Sequence, residues 1–136
     1  EDLVRSAPLH DVGKVAIPDS ILKKPGPLTN AEREVMKTHT TIGAATLEAA
    51  HVEGGARGFL EMGRDIALCH HERWDGTGYP WALAGQDIPL AGRIIAIAAI
   101  QRFGLRSANM KDEDIIAREA VRCVIPAFIV AQRVIA

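Results

Sequence analysis

The sequence predicts an all-α domain, and its composition and periodicity both indicate this class. Of the 136 residues, 48% are hydrophobic but only 4% are aromatic. The apolar side chains are therefore mainly Ala, Ile, Leu and Val, which suits packed helices. No stretch alternates apolar and polar residues for long enough to predict a sheet, and no repeat with a period of about 20 to 50 residues is present. The length fits one domain with a real hydrophobic core.

The first half of the chain predicts two helices joined by a proline-rich loop. Apolar residues with mostly helical spacing run from Asp2 to about Lys14. Residues 17–28 contain three prolines and a glycine, which predict a loop or short turns. Thr29 and Glu32 then have the spacing of a capping box, in which each side chain bonds the other residue's backbone N–H. A helix is expected to follow from about Asn30 to Ala50.

The second half predicts further helices separated by glycine-rich and turn-rich segments. Three glycines at positions 54, 55 and 58 interrupt the chain. The elements predicted after them are a helix from Phe59 to His71 with a histidine pair in its last turn, an ordered loop from Glu72 to Pro89, an apolar helix from Leu90 to about Gly104, and helices over Asp112–Cys123 and from Pro126 to the end.

Charge, hydropathy and cysteine content exclude several classes of protein. With 16 basic and 17 acidic residues, the chain has a net charge of −1 and offers no basic surface for duplex nucleic acid. No apolar run reaches the roughly 18 residues of a membrane segment, and the first residues do not resemble a signal peptide. Cys69 and Cys123 are too few for a disulfide framework, which predicts a cytoplasmic location. Because the chain starts without methionine and in a helix-like pattern, we expect a fragment that lacks N-terminal helices.

Five residues on three predicted helices are candidate metal ligands. His10 and Asp11 are adjacent, His39 lies on the next long helix, and His70 and His71 are adjacent before a turn-rich loop. Imidazole and carboxylate groups suit Zn, Fe or Mn, and a carboxylate can bridge two ions. Two divalent ions about 3.5–4 Å apart can activate water and neutralise the charge of a phosphoester.

Other interpretations of the same residues remain open. A His-Asp pair also arises by chance, and a single histidine such as His39 is often an ordinary surface or hydrogen-bonded residue. Cys69 is expected to be a small buried hydrophobe. The adjacent histidine pair is the stronger indication of a metal site. Lys14 lies one helical turn after the His-Asp pair, where its ammonium group could hold a phosphate oxygen.

Three segments together resemble the HD-GYP branch of the HD superfamily of metal-dependent phosphohydrolases: APLHDVGKVAIPD, LTNAEREVMKTHTTIGA and ALCHHERWDGTGYPWALAGQDIPLAGRIIAIA. The resemblance covers about Ala7 to Ala98, and HHE-x-x-DG-x-GYP is a highly specific motif of this branch. It implies an all-α bundle of about five to seven helices. It also implies hydrolysis of the bacterial second messenger cyclic di-GMP to pGpG and GMP, with two or three Fe or Mn ions.

The resemblance also implies a role for individual residues. The positions that match the family's metal ligands are His10, Asp11, His39, His70 and His71. Asp11 is implied to bridge two ions and, with Lys14, to act in catalysis. The positions that match substrate-binding residues are Lys14, near the scissile phosphate, Gly78, Tyr79 and Pro80 of the name motif, and Lys111. The Gly-Tyr-Pro loop is further linked to contacts with GGDEF-type cyclase domains.

The chain departs from the family pattern after residue 98. Ala99 stands where the family has a ligand aspartate, and Arg102 stands where a second aspartate is common. The family pattern also has a histidine, and often a glutamate, on a helix upstream of the His-Asp pair, and we expect residues 1–136 to contain neither. The site is therefore expected to be weakened, with water or another acid as the replacement ligand; the candidate acids are Glu72, Asp112 and Glu113.

Two functions are compatible with these features. The first is an active cyclic di-GMP phosphodiesterase, which the intact HHE and GYP motifs favour. The second is a catalytically degenerate HD-GYP domain that binds a nucleotide or a protein as a regulatory module, which Ala99 and the altered C-terminal third favour. We interpret residues 1–136 as one partial HD-GYP domain whose C-terminal helices diverge from residue 99. Because such domains usually follow a receiver or sensor domain, a two-component response regulator is the expected setting.

Overall fold

Helices dominate the part of the chain that the structure describes. The computed structural model describes the backbone of residues 1–54 and 58–104 and the side chains of residues 1–51 and 58–98. These ranges contain no strand, only an isolated bridge between Asp75 and Ala84. The predicted all-α class is confirmed, while the helices predicted over Asp112–Cys123 and after Pro126 lie outside the described residues. No helix within the described ranges has the length and apolar character that a membrane span requires.

The first predicted helix consists of two pieces of different geometry. Helix α1 spans Asp2–Ser6, and a 3₁₀ helix spans Ala7–Ala16, so the prediction of a single helix was wrong. Pro8 lies in the first turn of the 3₁₀ helix and has no N–H to donate to the preceding turn. Side chains three positions apart eclipse each other in a 3₁₀ helix, so positions 11 and 14 are aligned. Helix α2, Asp19–Leu22, forms a single turn inside the expected loop.

The long helix predicted from residue 30 to 50 is broken once. Helix α3 spans Asn30–Lys37 and helix α4 spans His39–Gly54, with Thr38 between them. The hydroxyls of the threonines at positions 38, 40 and 41 each donate to the carbonyl oxygen three residues earlier. Such bonds compete with the helical ladder and bend helices, which explains the break. The break makes His39 the first residue of α4.

The predicted capping box is present at the start of α3. The Glu32 N–H donates to the Thr29 hydroxyl oxygen at 3.3 Å, and the Thr29 N–H donates to the Glu32 carboxylate at 2.7 Å. The Nζ atom of Lys24 also donates to this carboxylate at 2.6 Å. The proline-rich loop is thereby attached to the helix that follows it.

Replacing Thr29 by alanine is expected to lower the free energy of unfolding by about 1 kcal/mol, because a backbone N–H of the first turn loses its acceptor. Urea denaturation measures this loss. Thr46→Ala is the matched control, since Thr46 is exposed within α4 and alanine is the better helix former. An equal loss in both variants would contradict a capping role for Thr29.

Helix α5 lies at the centre of the described fold. It spans Phe59–Cys69, two residues shorter than predicted, and packs against α1, α4, the 3₁₀ helix and α6. Helix α6 spans Leu90–Gly104, as predicted. The buried apolar side chains are Ile17, Ala44, Leu47, Ile66, Ala67, Cys69, Ile88 and Ile95. Cys69 is thus the small buried hydrophobe that was expected, and burial raises the pKa of its thiol to about 11.

The 3₁₀ helix and α4 touch through their backbones. A Cβ added at Gly13 would overlap the carbonyl oxygen of His39 and would lie 2.6 Å from the nitrogen of Gly43. A Cβ added at Gly43 would lie 3.1 Å from the Gly13 nitrogen. The Ser6 hydroxyl also donates to the Phe59 carbonyl oxygen at 2.6 Å, which ties α1 to the start of α5. These contacts hold the His-Asp pair of the 3₁₀ helix beside α4 and α5.

Candidate metal centre

Three segments of the chain bring the predicted ligands into one cluster. The 3₁₀ helix contributes His10 and Asp11, the first turn of α4 contributes His39, and the residues directly after α5 contribute His70 and His71. One ligand atom from each of the last three histidines lies within 4.8 Å of the other two, a group that could hold a metal ion. The ring centroids of His10 and His70 are 5.3 Å apart. The residues are therefore grouped as expected, and their role as ligands stays a prediction.

Hydrogen bonds turn three of the rings so that the same nitrogen is left available. The Nδ1 atoms of His10, His39 and His70 lie 2.8, 2.7 and 3.0 Å from backbone carbonyl oxygens. A carbonyl oxygen can only accept, so each Nδ1 carries the proton and each Nε2 keeps its lone pair. The Nε2 atoms of His39 and His70 are 3.4 Å apart. Two lone pairs at this distance repel each other, and a cation beside them would remove the repulsion.

Asp11 supplies the carboxylate of this cluster. Its Oδ1 atom lies 3.5 Å from Nε2 of His39 and 3.8 Å from Nε2 of His70. This oxygen is buried and has no hydrogen-bond partner in the described part of the chain. A buried oxygen without a donor is unfavourable. Together with the two imidazole nitrogens it forms a donor set that fits a divalent cation.

The cluster is buried on one side and open on the other. The side chains of His39 and His70 are 1% and 2% exposed, whereas those of His10, Asp11 and Lys14 are 30%, 34% and 38% exposed. The alignment of positions 11 and 14 brings Nζ of Lys14 to 2.7 Å from Oδ2 of Asp11. An anion that approaches from the solvent would therefore meet an ammonium group beside the carboxylate.

Burial keeps the inner histidines uncharged. Burial and the neighbouring histidines lower the pKa of His70 to about 4 and the pKa of His71 to about 3. Burial likewise lowers the pKa of His39. For Asp11, burial acts to raise the pKa, but the hydrogen bond and charge of Lys14 outweigh it and the pKa is lowered. At neutral pH these groups are therefore in the forms that bind metal ions.

The lowered pKa values predict that the metal-free protein loses stability in weak acid. Histidine in the unfolded chain titrates near pH 6.5, whereas folded His70 and His71 stay neutral down to about 4 and 3. Between these values the unfolded state binds more protons, so the free energy of unfolding falls as the pH falls from about 6.5. One pKa unit corresponds to about 1.4 kcal/mol, so we expect the Tm of chelator-treated protein to fall by about 4 °C or more toward pH 5.

Two variants identify the residues responsible for this pH dependence. His71→Gln should flatten it, because one of the depressed groups is removed. Thr46→Ala should leave it unchanged, because this exposed substitution in α4 removes no titratable group. A Tm of the metal-free protein that did not change between neutral pH and about pH 5 would contradict burial of neutral imidazoles.

The Gly-Tyr-Pro turn lies against this cluster. The ring of Tyr79 stacks on the ring of His71, with centroids 4.7 Å apart and an interplanar angle of 18°. The Tyr79 N–H also donates to the His71 carbonyl oxygen at 3.2 Å, and the peptide bond between Tyr79 and Pro80 is cis. A Cβ at Gly78 would lie 2.5 Å from Cα of Glu72. The predicted substrate-binding turn therefore directly contacts a predicted metal ligand. The resemblance implies a loop beside the site, but the stacking of Tyr79 on His71 was not predicted.

The carboxylate of Glu72 bonds the loop that follows it. Its carboxylate accepts hydrogen bonds from two backbone N–H groups of the following loop, while its role as a replacement acid for the missing aspartate stays a prediction. The sequence does offer a signal for this contact, because an acid directly follows two candidate ligands and directly precedes a turn-rich loop. Five further positions of the predictions lie outside the described side chains: the departures Ala99 and Arg102, whose backbone is part of α6, the predicted substrate-binding residue Lys111, and the candidate acids Asp112 and Glu113.

A protein-family comparison identifies the class of protein. The model of a family described as HD domain matches residues 1–123, which include every residue of the cluster. The chain therefore belongs to the HD domain family, as the resemblance of its motifs to the HD-GYP branch predicted.

Particular relatives are bacterial phosphodiesterases. A cyclic di-GMP phosphodiesterase of Vibrio cholerae is 57% identical over 100 residues, which are 74% of this chain and 20% of that protein. The cyclic di-GMP phosphodiesterase response regulator RpfG of Xanthomonas campestris is 53% identical over 95 residues, or 70% of this chain and 24% of that protein. The 3'3'-cGAMP-specific phosphodiesterase 2 of Vibrio cholerae is 49% identical over 100 residues, or 73% and 18%. The chain thus spans only about a fifth to a quarter of the length of these relatives.

Proposed function

We propose that this chain carries the catalytic metal site of a phosphodiesterase that hydrolyses cyclic di-GMP in bacterial signal transduction. One observation carries the proposal: the buried, unpartnered oxygen of Asp11 faces the Nε2 atoms of His39 and His70. The names of the Vibrio and Xanthomonas relatives support cyclic di-GMP as the substrate. Because another relative is specific for 3'3'-cGAMP, a cyclic dinucleotide is the class of substrate.

Two or three divalent ions, iron or manganese, are proposed to be held by His10, Asp11, His39, His70 and His71. Mixed nitrogen and oxygen donors suit these metals, and Asp11 has two oxygens with which to bridge a pair. When bound, the ions would activate water for attack on the phosphodiester and neutralise charge on its oxygens. The chain contributes neutral imidazoles on the buried side and an open face at the 3₁₀ helix.

Lys14 is proposed to hold an oxygen of the scissile phosphate. Its ammonium group donates to a carboxylate oxygen at 2.7 Å on the open side of the cluster. An oxygen of a phosphate carries a similar charge and accepts hydrogen bonds in the same way. Gly78, Tyr79 and Pro80 are proposed to border the same opening. A contribution of Lys111 stays a prediction from the sequence.

The wider setting of the domain is also a proposal. A receiver or sensor domain upstream, and therefore a two-component response regulator, is consistent with the similarity to the Xanthomonas response regulator. Contacts with GGDEF-type cyclases, the cytoplasmic location and the assignment of residues 1–136 to one partial HD-GYP domain stay predictions from the sequence.

Hydrolysis of cyclic di-GMP tests the proposed function. The protein is purified anaerobically, loaded with Fe(II) or Mn(II), and incubated with cyclic di-GMP or, in parallel, with 3'3'-cGAMP. Chromatography should separate pGpG or GMP that forms with the loaded protein and not with chelator-treated protein. Absence of turnover with folded, metal-loaded protein would contradict the proposal. Binding of cyclic di-GMP without turnover would instead support the degenerate domain that Ala99 suggests.

A further inference from the structure

The carboxylate of Glu72 is buried directly beside the histidine cluster. Glu72 follows the ligand pair in the sequence, and the residue is 5% exposed. One oxygen accepts the N–H of Trp81 at 2.8 Å, and the other accepts the N–H of Leu83 at 3.0 Å. The side chain therefore bonds backbone groups nine and eleven residues further along the chain.

Burial of a carboxylate is unfavourable unless its oxygens are hydrogen-bonded. In Glu72 both oxygens accept from backbone donors, and such charge-assisted bonds are about twice as strong as bonds between neutral groups. A glutamine of the same shape has one oxygen and one NH₂ group, so it can accept only one of the two N–H groups. Position 72 therefore requires a carboxylate because the loop presents two N–H groups that both need an acceptor.

The anchored loop also contacts the histidine pair. Trp81 follows Pro80 of the tight turn, and Gly78 lies against the backbone of Glu72, where a Cβ would be 2.5 Å from the Glu72 Cα. Tyr79 bonds the His71 carbonyl oxygen through its N–H and covers the His71 ring with its own ring. Displacement of residues 81–83 would therefore move the ring that packs on His71.

We propose that Glu72 is a positioning residue of the metal centre, because its carboxylate holds the Trp81–Leu83 backbone and thereby fixes the Tyr79 ring against His71. The inference rests on the proposed metal site but does not depend on which cyclic dinucleotide is hydrolysed. In the HHE motif, the third residue, Glu72, would thereby hold the second residue, His71, in its orientation. Groups that orient metal ligands typically change metal affinity by about 10- to 100-fold when they are altered.

The test compares Glu72→Gln with Glu61→Gln in two measurements. Glu61 is an exposed acid in the first turn of α5, so its variant controls for the loss of one charge. Hydrogen exchange should show that the amides of Trp81 and Leu83 lose protection by about tenfold in Glu72→Gln only. Calorimetric titration with Mn(II) should show affinity about tenfold weaker or more in the same variant, while the helical circular dichroism is unchanged.

Tyr79→Leu separates the two steps of the proposal. It removes the ring from His71 but leaves both Glu72 bonds, so Mn(II) affinity should fall without any loss of protection at Trp81 and Leu83. Equal Mn(II) affinity in Glu72→Gln and Glu61→Gln would overturn the proposal. If Glu72→Gln did not fold, unchanged affinity in Tyr79→Leu would overturn it, and reduced affinity would support it.

The outcome is independent of the hydrolysis experiment. Binding of Mn(II) without hydrolysis would contradict the proposed function and still leave the positioning role measurable through affinity and exchange. Failure of the unaltered protein to bind Mn(II) would overturn both proposals.

Discussion

Asp11→Asn is expected to abolish the metal-dependent hydrolysis of cyclic di-GMP and to weaken Mn(II) binding by more than about 100-fold. This loss is larger than the loss of about 10- to 100-fold that usually follows when a residue that only orients a metal ligand is altered. Its Oδ1 atom faces the Nε2 atoms of both His39 and His70, and loss of the negative charge leaves only neutral donors at that point. The new NH₂ group can donate to one of these nitrogens. The metal-free variant should therefore be as stable as the unaltered protein, although it binds metal poorly.

The matched control is Asp19→Asn. Asp19 also forms an ion pair with a nearby lysine, Lys23, at 2.7 Å, but this pair is exposed and lies in α2. Calorimetric Mn(II) titration, product chromatography and thermal denaturation without metal would be measured for both variants. Retention of hydrolysis in Asp11→Asn would contradict the bridging role. A large loss of metal-free stability would indicate a structural role for Asp11 instead.

Gly13→Ala is expected to be the most destabilising single substitution proposed for this chain. The new Cβ would overlap the carbonyl oxygen of His39 and approach the nitrogen of Gly43, and both are backbone atoms that cannot rotate away. Overpacking of this kind costs about 1–3 kcal/mol or more. The 3₁₀ helix would have to move away from α4, so metal affinity should fall together with Tm. A Tm lower by about 10 °C is the expected result.

Gly26→Ala controls for the conformational effect of replacing glycine. Gly26 has φ +128°, which disfavours alanine, but a Cβ there would have nothing within 4 Å. This variant should lose about 1–2 kcal/mol and keep its Mn(II) affinity. If Gly13→Ala lost no more stability than Gly26→Ala, the close approach of the 3₁₀ helix to α4 would be contradicted.

The sequence predicted elements best where the local signal was strong. The capping box at Thr29 and the bounds of α6 agree with the structure, because a cap and a long apolar helix are decided by neighbouring residues. The break at Thr38 was missed, since the side-chain hydrogen bonds of a threonine run compete with the helix without changing its apolar pattern. The 3₁₀ geometry after Ser6 was missed for a similar reason, because Pro8 is compatible with the start of either kind of helix.

The sequence predicted which residues form the candidate site, but it did not predict the contacts that surround them. Residue types alone selected the five candidate ligands, and the structure brings them together. The direction of the Glu72 carboxylate and the contact of Tyr79 with His71 depend on how the chain turns between residues 72 and 81. Spacing along the chain does not determine that path. The order of the quoted motifs therefore predicts the chemistry, while the structure shows the contacts that surround the predicted ligands.

The cluster joins positions 10, 39 and 70, which are 29 and 31 residues apart in the chain. A cation held by all three segments would close two long loops, as a covalent cross-link does, but the constraint would vanish in the unfolded chain. Ligand present at about 100 times its Kd then adds about 2.7 kcal/mol to the free energy of unfolding. The lifetime of the folded domain would consequently depend on the metal supply of the cell, so metal starvation would reduce its abundance as well as its activity.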